Sequence, residues 1–188
     1  GEVQDRGWRH GTGESIQDRA ARLAPYCGGF LVTFIEDEGG MGGMNIEAVT
    51  RIRESLGAPM TVAGGIAATQ EVVELSRLGL DVQVGMALYT GKLDLAASVV
   101  DSIDFEKSPL IPTIVQDEMA QVLMLAYSSP ESLRRALRRG KGVYFSRSRG
   151  EIWEKGLTSG NTQELVSCRT DCDRDTLLFT VRQRGPAC

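Results

Sequence analysis

Pro59-Met60-Thr61-Val62-Ala63-Gly64-Gly65-Ile66 decides the fold of the first half of the chain. A short apolar run meets two glycines, the pattern of a buried parallel strand whose carboxyl end admits close backbone approach. Just before it, Gly57 and Pro59 stop a helix that Asn45 opens as N-cap, with Ile46, Val49, Ile52 and Leu56 on one face. Earlier still, Phe30 to Ile35 reads as a buried strand running into Glu38-Gly39-Gly40-Met41-Gly42-Gly43. On the far side, Thr69 caps a helix carrying Val72, Val73, Leu75 and Leu78, stopped at Gly79. Asp81 to Val84 is a third strand, closed by Gly85. Strand, helix, strand, helix, strand predicts a parallel sheet with right-handed crossovers.

Asp101 to Pro112 is polar, holds two prolines and has no period, so it reads as a linker between two domains, 1–103 and 104–188. Beyond it the rhythm changes. Val122 to Tyr127 is apolar, and Ser129 and Pro130 open a helix ending in Arg138, Arg139 and Gly140. Val143 to Phe145, Leu165 to Arg169 and Leu177 to Val181 read as strands of a small α+β domain with hairpin-like pairing.

With 188 residues, 41% of them hydrophobic, the chain can bury one sizeable core or two small ones. A net charge of −4 argues against a dedicated nucleic-acid binder, and no apolar run is long enough to span a membrane. Four scattered cysteines do not make a secreted disulfide framework, so reduced thiols and a cytoplasmic location are expected. The first residue is Gly1 and the last Cys188, which reads as a fragment of a longer protein. His10, the sole histidine, sits in a polar stretch and reads as a surface residue.

Glycines at the ends of consecutive parallel strands let the backbone present N–H groups to a phosphate, which gives Gly64, Gly65 and Gly85 a binding reading beside their plain reading as turn residues. In the second half the sharpest signal is Asp171-Cys172-Asp173-Arg174-Asp175. In an extended strand the three aspartates would share a face and Cys172 would point the other way. Three converging carboxylates suit a hard cation such as Mg²⁺, and a thiolate suits Zn²⁺. The bland alternative is an exposed acidic edge strand. Arg134, Arg135, Arg138, Arg139 and Lys141 read as a solvated helix face or as an attractor of anionic nucleotide, and Cys168 as a core thiol.

Two resemblances sharpen this. Val62-Ala63-Gly64-Gly65-Ile66, Val84-Gly85-Met86-Ala87-Leu88-Tyr89-Thr90-Gly91 and Gly7-Trp8 resemble the closing strands and Gly-Trp loop of the histidine-pathway barrel isomerase, which interconverts two phosphoribosyl-formimino carboxamide ribotides by an Amadori rearrangement. That resemblance implies part of a (β/α)8 barrel, its last strands only, over about Gly1 to Val100. It implies substrate contacts at Trp8, Gly64, Gly65 and Gly85, and places Thr33 and Glu38 in the family's sixth-strand catalytic motif, with Phe34 and Glu38 standing where that motif has aspartates. The family's two principal catalytic aspartates would precede Gly1, so one phosphate cradle without its acid–base pair is expected here.

Ser146-Arg147-Ser148-Arg149, Trp153-Glu154-Lys155-Gly156, Thr158-Ser159-Gly160-Asn161-Thr162-Gln163 and Gly185-Pro186-Ala187-Cys188 resemble the signature of phosphoribosyl-AMP cyclohydrolase, as do Gln116-Asp117 and Val122 to Tyr127. That family opens the N1–C6 bond of the adenine ring of phosphoribosyl-AMP using zinc and magnesium. The resemblance implies Mg²⁺ on Asp171, Asp173 and Asp175, and Zn²⁺ on Cys172 and Cys188, the zinc site being shared across a homodimer. A third zinc cysteine would lie beyond Cys188. Arg147, Arg149 and Lys155 become phosphate and ribose anchors, or else surface cations. A two-domain histidine-pathway enzyme is the leading expectation. A catalytically inactive, metal-stabilised dimerisation fragment is the alternative from another class, and a third, a zinc nucleic-acid module, lacks the paired Cys-x-x-Cys spacing and the basic surplus it would need.

Overall fold

The computed structural model describes residues Gly1 to Ala187. The chain forms two compact units, Gly1–Ser98 and a second beginning at Val99.

The first unit opens with an antiparallel hairpin, β1 (Glu2–Asp5) and β2 (His10–Ser15), followed by α1 (Ile16–Leu23). Then come β3 (Phe30–Thr33), α2 (Ile46–Leu56), β4 (Met60–Ala63), α3 (Thr69–Arg77), β5 (Asp81–Gln83) and the short α4 (Met86–Tyr89). The three later strands form a parallel sheet in the order β3-β4-β5, with Val32, Val62 and Val82 in one register row. The expected βαβαβ arrangement is therefore present. Asn45 Oδ1 accepts the Ala48 N–H at 3.0 Å, and Gly57 closes α2 in the left-handed region at φ 60°. Val49, Val62 and Leu75 are fully buried where α2 and α3 cover the sheet. Each contributes roughly 1.5–3 kcal/mol by leaving water. The N-cap of α3 is Ala68 rather than Thr69. Glu71, one turn in, accepts the N–H groups of Ala67 and Ala68 at 2.9 Å and so does the work that a Thr69 hydroxyl was expected to do.

The division between units falls inside α5 (Leu95–Ser102). The second unit continues with β6 (Ile111–Gln116), β7 (Val122–Ser128), α6 (Pro130–Arg139), the hairpin β8 (Val143–Ser146) and β9 (Glu151–Glu154), and the hairpin β10 (Gln163–Thr170) and β11 (Leu177–Gln183). Its sheet order is β10-β11-β6-β7. Pairing is antiparallel except between β11 and β6, which run parallel, so hairpins alone do not describe it. At the start of α6, Ser129 Oγ accepts the Ser132 N–H and Ser132 Oγ accepts the Ser129 N–H; Pro130 takes the first turn and Gly140 closes the helix at φ 61°. Leu133 and Ala136 press this helix into a core with Ile111, Val115, Leu177, Phe179 and Val181. The Tyr144 ring lies 5.5 Å from Trp153 and 5.9 Å from Phe179, joining the small hairpin to that core.

The stretch Asp101–Pro112 is not a free linker. Its first residues complete α5, its last begin β6, Ile103 is buried and Phe105 packs against the second core. Two apolar side chains among charged neighbours suffice to tie it down.

Candidate functional site

In the first unit, the carboxyl ends of β3, β4 and β5 frame a cavity of about 240 Å³. Trp8, Thr33, Glu38, Gly64, Gly65 and Gly85 all line it, so the six residues singled out there are brought together. Trp8 reaches it from the β1–β2 turn, with φ 64°. Gly64 (φ 96°) and Gly65 (φ 73°) are required first by their own neighbours. A Cβ on Gly64 would lie 2.4 Å from the Phe34 carbonyl oxygen, and one on Gly65 would lie 2.7 Å from Asp37 Cβ and 2.9 Å from the Gly43 carbonyl oxygen. Gly85 differs, because a Cβ there would meet open space. The loop after β3 is fastened over the cavity: Glu71 accepts the Met44 N–H, Gly43 donates to the Gly65 carbonyl, and Lys92 Nζ donates to the Met41 carbonyl at 3.0 Å. Glu71 thus fills the anion position at the start of α3 with a carboxylate of the chain itself.

In the second unit, Asp171, Asp173 and Asp175 offer carboxylate oxygens within 4.8 Å of one another. The physical reason is not the expected strand parity. These residues form the turn between β10 and β11, and Arg174 adopts φ 61°. Asp171 Oδ1 accepts the N–H groups of Asp175 at 3.1 Å and Thr176 at 3.2 Å, folding the tip back on itself. Burial raises the pKa of Asp171, but the hydrogen bonds from Thr176 and Asp175 outweigh it and hold the carboxyl below its ordinary value. Cys172 lies exposed in the same turn rather than on the opposite face of a strand, and Cys188 lies outside the described residues. Cys168, partly buried against the core, has its thiol pushed up to about 12 by desolvation.

The cations separate into three environments. The Arg147 guanidinium stacks over the Tyr127 ring at 3.8 Å in a groove that Met124, Phe145, Arg149 and Trp153 also line. Arg149 sits 5.8 Å from the Trp153 ring and pairs with Glu151 at 3.3 Å. Lys155 is half-buried, and its ammonium donates to the Ala187 carbonyl, a clamp within the chain rather than an open anion contact. Register relates the groove to the aspartates. Thr170, Leu177, Thr113 and Ala126 form one row across the sheet, with Asp171 and Tyr127 each one residue past it. The two features therefore share one end of the sheet, at opposite edges, three strand spacings or about 14 Å apart.

Lys107 and Glu71 were not found from sequence. Lys107 lay in the presumed linker, and its ammonium is 3.8 Å from Asp173 and 3.7 Å from Asp175. Glu71 follows the capping-box spacing, but Ala68 in place of Ser or Thr hid it.

Comparison with known proteins follows the same division. Residues 1–94 match the family described as histidine biosynthesis protein, and residues 124–188 match phosphoribosyl-AMP cyclohydrolase. These two matches define a two-part enzyme of histidine biosynthesis. The phosphoribosyl-AMP cyclohydrolase of Salinibacter ruber is 55% identical over 91 residues, 48% of this chain and 72% of that protein. That of Roseobacter denitrificans is 53% identical over 89 residues, 47% of this chain and 70% of that protein. The histidine biosynthesis bifunctional protein HisIE of Caldanaerobacter subterraneus is 52% identical over 90 residues, covering 47% of this chain and 44% of that protein. The chain belongs to the phosphoribosyl-AMP cyclohydrolase family.

Proposed function

We propose that the second unit hydrolyses the N1–C6 bond of the adenine ring of phosphoribosyl-AMP. The observation that carries this is the gathering of Asp171, Asp173 and Asp175 at one hairpin tip with the exposed Cys172 thiol between them. Three carboxylates, two exposed and one partly buried, offer the oxygen donors that suit Mg²⁺, which keeps much of its own water. Cys172 supplies one thiolate for Zn²⁺, and Cys188 is the second in this reading. Bound zinc would supply a water whose pKa is lowered toward neutrality. The chain's own residues bind and orient the nucleotide. Arg147, steadied by the Tyr127 ring, presents its N–H edge to an anionic phosphate or ribose oxygen, with Arg149 beside it. Lys155 holds the segment that leads to Cys188 through its bond to Ala187.

A homodimer through this unit completes the reading. Ile114 and Leu125 are register partners on the outward face of the sheet and are 37% and 62% exposed, an apolar surface suited to a second copy. For the first unit we infer the closing strands of an isomerase barrel, with Trp8 stacking on a phosphoribosyl substrate and Gly85 approaching its phosphate. No helix among the described residues is long and apolar enough to cross a membrane. A cytoplasmic location would keep the thiolates reduced.

The test is turnover of phosphoribosyl-AMP by the full chain supplied with Zn²⁺ and Mg²⁺. Cys172→Ser and Asp173→Asn should each lower kcat about a hundredfold or more. Activity unchanged in both variants would refute the assignment.

A further inference from the structure

Four carboxylates and one ammonium meet where the β10–β11 turn lies against the segment joining α5 to β6. Lys107 Nζ is 3.7 Å from Asp104 Oδ2, 3.8 Å from Asp173 Oδ2 and 3.7 Å from Asp175 Oδ2, and it donates to the Asp173 carbonyl at 3.1 Å. Three residues earlier, the Asp104 N–H donates to the Arg174 carbonyl at 2.9 Å. One short segment therefore anchors the backbone of the turn and sets a cation against its side chains. Buried Ile103 and core-packed Phe105 keep that segment in place.

We propose that Lys107 is a tethered counter-ion of the carboxylate triad, competing with the divalent cation for it. This rests on the reading of Asp171, Asp173 and Asp175 as magnesium ligands. Without a metal the ammonium offsets repulsion among carboxylates gathered within one small turn. One ammonium against Asp104, Asp173 and Asp175, with Asp171 gathered beside the last two, leaves carboxylate charge in excess, so a divalent ion is still drawn in. The carboxylate distances of 3.7–3.8 Å are longer than close hydrogen bonds, and the side chain is 47% exposed. The ammonium is thus held loosely on a flexible four-carbon stem and can withdraw to water when the ion arrives. Its position sets the Mg²⁺ concentration at which the triad fills.

Titration of the full chain with Mg²⁺ alone, followed by calorimetry, tests this. Lys107→Met should bind Mg²⁺ on the order of tenfold more tightly than wild type, with the gap narrowing as NaCl is raised. Lys107→Gln, which keeps a donor for the Asp173 carbonyl without the charge, should tighten binding similarly and serves if the methionine variant does not fold. Lys107→Arg should stay within about threefold of wild type, because it keeps the charge. Asp173→Asn should remove the heat in every background, which locates the binding. Affinity in Lys107→Gln equal to or weaker than wild type overturns the competition. A wild type and a Lys107→Gln variant that both give no Mg²⁺ heat, or heat that survives Asp173→Asn, overturn the metal reading and the competition with it.

Discussion

Replacing Tyr144 by phenylalanine removes one oxygen from the middle of the second core. That hydroxyl donates to Gln163 Oε1 at 2.6 Å, and both residues are fully buried. Gln163 Nε2 in turn donates to Gln183 Oε1 at 2.8 Å, and Gln183 donates to the Arg184 carbonyl at 3.0 Å. The line of bonds runs from the core to the segment that leads to Pro186 and Ala187. Shape is almost preserved by Tyr144→Phe, so the cavity contribution is small and the cost comes from leaving a buried amide oxygen without its donor, about 1–3 kcal/mol. Urea unfolding read by tryptophan fluorescence measures it. Only Trp8 and Trp153 are present, so a Trp8→Phe background confines the signal to Trp153, which touches Tyr144. The alkaline side gives a second check. Burial raises the phenol pKa, so the folded state keeps a proton that the unfolded state releases near pH 10. Wild-type stability should therefore fall as pH rises above about 10, and Tyr144→Phe should lack that component. A variant as stable as wild type at pH 7 would show that the bond contributes nothing and that Gln163 is satisfied in another way.

Gly65→Ala should destabilise the first unit by about 2 kcal/mol or more, since φ 73° and the contacts with Asp37 and Gly43 both oppose a Cβ; thermal melting monitored at Trp8 reads it. Cys168 should react with iodoacetamide far more slowly at pH 8 than Cys27 or Cys172, because its thiol is pushed up to about 12. The same shift makes wild type lose stability as pH rises from about 8.5 toward 12, a loss that Cys168→Ala should remove. For Asp171 the sign is opposite: its lowered pKa supplies stability that is present above pH 4 and lost as pH falls through the folded-state value, and Asp171→Asn should flatten that acid limb in urea melts.

The elements legible in the sequence are those whose signals are local. Asn45 and Gly57 bracket α2, and Ser129, Pro130 and Gly140 bracket α6, because caps act within one turn of the residues they satisfy. The parallel strands were legible because apolar runs ended at glycines. What failed to show was non-local. Glu71 caps α3 through its own carboxylate while also holding Met44, 27 residues away, so the Thr69 position misled. β6 finds its parallel partner β11 across more than sixty positions, which no local pattern announces. The aspartate triad lies between these cases. Its composition foretold a gathering of carboxylates, but the gathering is made by a turn in which Asp171 accepts two backbone N–H groups, not by alternation along a strand.

That difference changes what the tip can do. On a strand, Asp171, Asp173 and Asp175 would be spaced by the pleat, at roughly 7 Å from one to the next. In the turn their oxygens lie within 4.8 Å of one another, close enough for one ion to touch all three. The same turn leaves the Cys172 thiol exposed instead of facing the core side of a sheet. The cations follow the same logic. Arg147, Arg149 and Lys155 look alike in sequence, yet an aromatic face, a neighbouring carboxylate and a carbonyl 32 residues on assign them different work. Of the three, Arg147 rests on an uncharged ring, so its guanidinium edge keeps its charge for an incoming anion. The second unit thus gathers carboxylates at one edge of a sheet end and such an arginine at the other, about 14 Å apart along the strand ends, and a nucleotide bound as proposed would have to reach both.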